Sequence, residues 1–236
     1  MTTSERPTIA ILGRFSDSAS ALRHRAVVTA RALLESVWNA GGDPITLLPV
    51  EDSNWAERLR GVSGVLMPGG GDIHPSLYGE EPASDALYDM DLLQDHADAS
   101  LVRFVLDHGI PMFTICRGTQ LTNAVLGGNL VQDMAVHHRN HVHTVTIDSD
   151  IEGLGLAGSQ IEASCYHHQA IDRVGDGVTP LAFAPEGHVE AVRYDTAAWA
   201  YGVQWHPEDN AAVDAQNAAL FRRFVDEARK AGPFVR

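Results

Sequence analysis

Cys116, His206 and Glu208 are the residues of this chain best suited to covalent chemistry. Cys116 follows the apolar run 110–115 and precedes a stretch of helical character over 118–126 that Gly127-Gly128 ends. A cysteine between a strand and a helix sits on a sharp turn at the carboxyl end of a sheet. Its sulfur is exposed there, against free N–H groups and the positive end of the helix dipole. Both effects favour a thiolate, and Gly118 lets the chain turn without a side-chain clash. A lone cysteine in an apolar run is commonly an inert core thiol, so the junction gains meaning only beside a base. Gly202-Val203-Gln204-Trp205-His206-Pro207-Glu208 offers one at the end of the strand-like run 201–205. Pro207 biases His206 towards extended backbone, where residues two apart project to one side and Glu208 reaches the imidazole. A carboxylate so placed fixes the tautomer, raises the basicity of the ring and leaves its other nitrogen for a thiol.

A third element is Pro68-Gly69-Gly70-Gly71-Asp72, directly after the apolar run 64–67. Consecutive glycines allow backbone N–H groups to point into a site, as an oxyanion hole requires. Alone such a run is more often a flexible turn, and its spacing does not match a dinucleotide fingerprint. His137, His138, His141 and His143 invite a metal, yet no acidic residue or cysteine accompanies them as a ligand, so neither metal nor cofactor is expected. Cys165 lies inside a strand-like run and reads as core.

The elements that must position these residues alternate in the first half of the chain. Strands are expected at 8–12, 45–48, 64–67 and 110–115, and helices at 19–40, 90–108 and 118–126, the pattern of a sheet fed by crossover helices. Downstream come shorter strand-like runs at 144–147, 161–166, 181–184, 189–194 and 201–205, then a helix over 211–231. No repeat or linker divides the chain, and one domain is expected.

Seventeen basic against thirty-one acidic residues give a formal charge of −14, a field that repels phosphate backbones and anionic lipid surfaces. Nucleic acid and membrane are therefore not expected partners. Residues 1–7 lack the features of a secretory signal, and no segment is long and apolar enough to span a bilayer, so a cytoplasmic location is expected. The two cysteines are too few for a disulfide scaffold and should remain thiols.

Four motifs carry a resemblance across almost the whole chain. They are Pro68-Gly69-Gly70-Gly71-Asp72-Ile73-His74-Pro75-Ser76-Leu77-Tyr78-Gly79-Glu80; Ile115-Cys116-Arg117-Gly118-Thr119-Gln120 with Leu126-Gly127-Gly128-Asn129; Tyr166-His167-His168-Gln169-Ala170-Ile171; and the segment ending at Glu208. In these the chain resembles the class I glutamine amidotransferase-like superfamily, specifically its free-standing γ-glutamyl-γ-aminobutyrate hydrolase branch, the peptidase C26 family. The resemblance implies a flavodoxin-like three-layer α/β sandwich with a mostly parallel central sheet and additional short strands in the second half. It further implies Cys116 as nucleophile, His206 as base, Glu208 as its orienter, and the backbone N–H groups of Gly70 and Arg117 as the oxyanion hole. Tyr78, Gln120, His167 and His168 fall in matched motifs and are the expected substrate-binding residues. The partner implied is a small γ-glutamyl compound, with a homodimer left open. Two other readings stand beside a hydrolase: a glutaminase subunit serving a separate synthetase, and a non-catalytic binding protein. One departure is Thr114, where the family usually has glycine; its hydroxyl is expected close to the sulfur.

Overall fold

The computed structural model describes residues 5–18, 25–51 and 53–235. In chain order the strands are β1 (Thr8–Leu12), β2 (Arg14–Ser16), β3 (Ala26–Val28), β4 (Asp43–Leu47), β5 (Val62–Met67), β6 (Met112–Ile115), β7 (Leu130–Val131), β8 (His138–Ile147), β9 (Gln160–His167), β10 (Ala170–Ile171), β11 (Val178–Phe183), β12 (Val189–Tyr194) and β13 (Ala200–Val203). The helices are α1 (Arg31–Asn39), α2 (Trp55–Arg58), α3 (Leu92–Asp107), α4 (Arg117–Val125), α5 (Pro207–Asn210) and α6 (Ala215–Ala231), with a 3-10 turn at Pro75–Tyr78.

One large sheet runs β4-β1-β5-β6-β13-β12-β11-β8-β9. Its first five strands are mutually parallel in the flavodoxin-like order, and the last four continue it antiparallel. Every residue of β5 and β6 is buried, as expected of central strands covered on both faces. The period of two divides β1 between two cores. Ile9 and Ile11 pack with Leu33 and Val37 of α1 and Phe221 and Phe224 of α6, whereas Ala10 and Leu12 pack with Leu101 and Val105 of α3 and Leu121 of α4. Helices therefore lie on both faces, which makes the three layers. Among the described residues no helix is long and apolar enough to cross a membrane.

The expected helix over 19–40 is corrected. Residues 19–24 lie outside the described residues, 26–28 form β3 against β2, and the helix covers only Arg31–Asn39. Val27 and Val28 are β-branched, which favours the strand, and the Val27 side chain lies over Gly13, where even a methyl group would come within 2.3 Å of it. The last helix starts at Ala215, because the Asp214 side chain accepts from the N–H groups of Gln216 and Asn217 and caps it there. β8 begins six residues before the expected 144, so the histidine-rich segment is strand. Pro44 is tolerated in β4 because that strand is at an edge of the sheet.

Candidate active site

Cys116 is the junction between β6 and α4, at the carboxyl end of the parallel strands. Its φ of 50° and ψ of −112° lie outside the comfortable regions for a side-chain-bearing residue. Such backbone persists only when its surroundings over-determine it. Here they do: the Cys116 N–H donates to the Val203 carbonyl at 2.8 Å, and its own carbonyl accepts from Thr119 and Gln120. Gly118 presses on β5, with 2.4 Å between the Met67 carbonyl oxygen and the position a Cβ would take, so no larger residue fits.

Thr114 does not turn its hydroxyl to the sulfur as expected. It lies 2.8 Å from both the Thr119 hydroxyl and the Tyr194 phenol. Since Thr119 donates to the Val203 carbonyl, the chain runs from Tyr194 to Thr114 to Thr119 to that carbonyl. Gly202 makes the room, because a Cβ there would stand 2.4 Å from the Thr114 oxygen.

His206 follows β13, the strand beside β6, and its Nδ1 lies 2.8 Å from Glu208 Oε1. Its other nitrogen faces the thiol. The point where a Cβ on Gly69 would sit is 3.5 Å from His206 Nε2 and 3.6 Å from Cys116 Cβ, so glycine is what lets the imidazole and the sulfur share that space. Burial disfavours a charged imidazole, but the Cys116 sulfur and the Glu208 carboxylate outweigh it and hold His206 well above the ordinary histidine range. The three side chains thus stand in contact in the order thiol, imidazole, carboxylate.

The N–H groups of Gly70 and Arg117 enter no hydrogen bond among the described residues, and both border Cys116. Beneath them lies a buried ion network. The Arg117 guanidinium is paired with Asp95 and Asp98, and Arg14 reaches Asp98 at 3.1 Å while running under Gly70, where a Cβ would be 2.5 Å from Arg14 Nε. Burial, and then the like charge of Arg117, bring Arg14 down to about 10. For Arg117 burial works the same way but is outweighed by Asp98 and Asp95. These pairs fix the first residue of α4 and the glycine loop against each other.

A narrow pocket at Cys116 is lined by Gly70, Asp72, Tyr88, Gln120, Tyr166 and the segment 167–169. Gln120 is there as expected; its amide bonds the Gln169 carbonyl and Gln204, whose own amide reaches Cys116 Sγ at 3.6 Å. His168 is held between Asp72 at 2.9 Å and Asp133 at 3.0 Å. His167 borders the pocket, but its Nε2 turns away towards Glu190. Tyr78 packs into the core on the α3 side and is not among the residues lining this pocket. On the other side of His206 opens a cleft of about 400 Å³ lined by Val28, Thr29, Leu33 and Gly69.

Sequence reasoning missed Tyr88, Tyr166 and Arg139. The Arg139 guanidinium lies 4.9 Å over the Tyr88 ring, and its Nε and one terminal nitrogen are buried without a partner. Tyr166 pairs with Arg139 across β8 and β9, so the strand pairing, invisible in the linear order, is the signal that joins them. The expectation that no acid or cysteine accompanies the histidine segment is also corrected. His138 and His143 on β8 meet Cys165 and His167 of β9 and Glu190 of β12.

A cysteine elbow, a His–Glu pair and a glycine loop at the head of a flavodoxin-like sheet define the glutamine amidotransferase-like class. The fold agrees with a solved Thermoplasma acidophilum protein, provisionally described as part of a GMP synthase, at a TM-score of 0.68 with 96% of both chains covered and 18% identity. The model of the peptidase C26 family matches residues 7–208, and the chain belongs to that family of glutamine amidotransferase-like hydrolases. It is 33% identical to protein NtpR of Enterococcus hirae over 84% of this chain and 89% of that one. It is 31% identical to the γ-glutamyl-γ-aminobutyrate hydrolase of Escherichia coli O157:H7, over 81% and 83% respectively.

Proposed function

We propose that this chain hydrolyses the γ-glutamyl amide bond of a small γ-glutamyl amine, such as γ-glutamyl-γ-aminobutyrate, in the cytoplasm. The observation that carries the reading is the backbone-strained Cys116 set against a His206 whose Nδ1 is 2.8 Å from Glu208. The Cys116 thiolate attacks the γ-carbonyl, and the N–H groups of Gly70 and Arg117 receive the oxyanion. Collapse of the tetrahedral intermediate breaks the C–N bond as the His206 imidazolium gives its proton to the leaving amine. Water then loses a proton to His206 and attacks the thioester, which releases glutamate and restores the thiol.

The pocket chemistry supports a glutamyl acyl group. Its α-ammonium would meet Asp72 in the pocket wall, and its α-carboxylate would draw on Arg139, which stacks on the Tyr88 ring just beyond that wall and has two buried nitrogens without an acceptor. Gln120 and His168 form the wall between them, and the departing amine leaves through the cleft beside Val28 and Leu33. The name of the Escherichia coli relative supports the choice of amine. The test is a substrate panel of γ-glutamyl-γ-aminobutyrate, other γ-glutamyl amines and glutamine, with wild type and Cys116→Ala. Fast cleavage of an amine, slow glutaminase activity and a loss of several orders of magnitude in the variant are expected. Turnover retained by Cys116→Ala would remove the mechanism, and glutamine as the best substrate would remove the proposed specificity.

A further inference from the structure

A second constellation of reactive side chains lies behind the wall of the thiol pocket. β8 is broken by a bulge at 139–141, where Asn140 has a φ of 52°. The extra residue reverses the alternation of the strand, so His138 and His143, five positions apart, both face inward. Cys165 and His167, two apart on β9, project to the same side, and β12 supplies Glu190, which is completely buried. His138 Nδ1, His143 Nε2 and His167 Nε2 stand 3.6, 3.6 and 3.7 Å from Glu190 Oε1, and Cys165 Sγ is 3.9 Å from His143 Nε2.

The three nitrogen-to-oxygen separations are too long for hydrogen bonds, which require about 2.7–3.2 Å. Both oxygens of Glu190, Nδ1 of His138 and Nε2 of His167 have no hydrogen-bond partner. A buried carboxylate that accepts no hydrogen bond carries a large desolvation penalty. Ligands of one tetrahedral ion with bonds of about 2.1 Å are about 3.4 Å from one another, close to what is seen here. The orientation of His167 agrees. Its Nδ1 lies 2.9 Å from the Gln169 carbonyl and donates to it, which leaves the Nε2 lone pair aimed at the carboxylate. Two electron-rich atoms facing each other in a buried space call for a cation between them, and a backbone carbonyl on the far nitrogen is the usual outer support of a metal-bound imidazole.

We infer that His138, His167, Cys165 and Glu190 form a binding site for a divalent transition-metal ion of the zinc type, with His143 closing its wall. The ligand atoms of these four lie within 4.8 Å of one another. Imidazole, thiolate and carboxylate in a closed four-fold arrangement select zinc over the hard cations that require an all-oxygen shell. With no open coordination position, the ion would be structural, tying β8 and β9 to β12. A second group, Asp133, His137 and His168, is partly exposed and its contacts are ordinary hydrogen bonds, so it serves as the control.

The experiment uses the full chain without an affinity tag, stripped with a chelator and titrated with zinc chloride against a chromophoric competitor, with melting temperature followed in parallel. One zinc per chain and a raised melting temperature are expected. Glu190→Gln should weaken zinc at least about tenfold, the scale set by loss of supporting contacts alone, whereas His137→Ala should leave it unchanged. Cobalt in the wild-type site should give a thiolate charge-transfer band that the near-isosteric Cys165→Ser abolishes. Failure of wild type to bind zinc, or binding lost in His137→Ala but kept in Glu190→Gln, would overturn the inference. The cobalt spectrum of the wild type decides the matter even should Glu190→Gln not fold, since a spectrum without the thiolate band contradicts the assigned ligands.

Discussion

Glu208→Gln isolates the contribution of the carboxylate with almost no change of volume. In the native site Glu208 is nearly buried, one oxygen accepts from His206 Nδ1 at 2.8 Å, and the other has no partner. An amide oxygen can still accept that bond, so the imidazole keeps its place, but the charge facing it disappears. For centres roughly 4 Å apart at an effective dielectric near 20, that charge is worth about 4 kcal/mol to the imidazolium, or about three orders of magnitude in a rate that passes through it. The neutral side chain can also flip and present its N–H₂, which stabilises the wrong tautomer and adds to the loss. Steady-state release of glutamate from γ-glutamyl-γ-aminobutyrate measures kcat and KM, and a pH series gives a second readout. His206 is held above the ordinary histidine range, so the alkaline limb of the wild-type profile lies above that range as well. Without the carboxylate the imidazolium is less stable, and the limb moves to lower pH. The same proton contributes to folding: its stabilisation is complete below the ordinary histidine value and is lost as pH rises through the folded one. Thermal stability of the variant should therefore differ most from wild type on the acidic side of that window. A variant with more than a tenth of wild-type kcat and an unmoved alkaline limb would refute the role given to Glu208.

Gly69→Ala places a Cβ 2.7 Å from His206 Cε1, so the ring must shift, and kcat should fall about a hundredfold with KM little changed. Arg139→Gln removes the charge proposed to hold the substrate carboxylate; KM should rise about tenfold or more with kcat nearly preserved, as measured by initial rates. Asp95→Asn strips one anion from the buried Arg117 and should cost about 3 kcal/mol in urea unfolding, with a circular dichroism spectrum that stays native. Thr114→Val leaves the Tyr194 phenol without its buried acceptor and should cost about 1–3 kcal/mol by the same assay.

The central strands of the parallel half were legible because they are short, continuous apolar runs, β5 and β6 being buried throughout. Such a pattern needs no knowledge of its neighbours. The Cys116 and His206–Glu208 motifs were legible for a related reason, since each is a local device whose geometry follows from a turn or from extended backbone. Arg14, Asp95 and Asp98 were not legible. They support Arg117 from β2 and α3, and nothing in their own surroundings in the sequence marks them. The place of Tyr78 was not legible either, because a matched motif does not say which way a side chain points; its ring packs against the core on the α3 side. The start of β8 was missed because alternation, the only sequence mark of a half-buried strand, is interrupted by the bulge at Asn140.

The change from parallel to antiparallel pairing at β13 explains why the site and the histidine cluster are adjacent. β13 pairs with β6 in a register that sets Val203 beside Ile115, so the chain leaves both strands at the same height and delivers His206 next to Cys116. On its other edge β13 pairs with β12, and there Gln204 continues the contact by donating its N–H to the Glu190 carbonyl at 2.7 Å. The side chain of the same Gln204 reaches the Cys116 sulfur and accepts from Gln120. A single residue therefore has its backbone on the strand that carries Glu190 and its amide on the thiol. β9 repeats the arrangement from above, since the Ser164 carbonyl accepts the His206 N–H at 2.7 Å while Cys165, the next residue, points into the cluster. Both halves of the Cys–His pair are thus anchored to strands that also line the histidine cluster. A parallel sheet that stopped at β13 would leave His206 on an unsupported edge, and the four antiparallel strands supply the rigidity that a sulfur-to-imidazole distance demands.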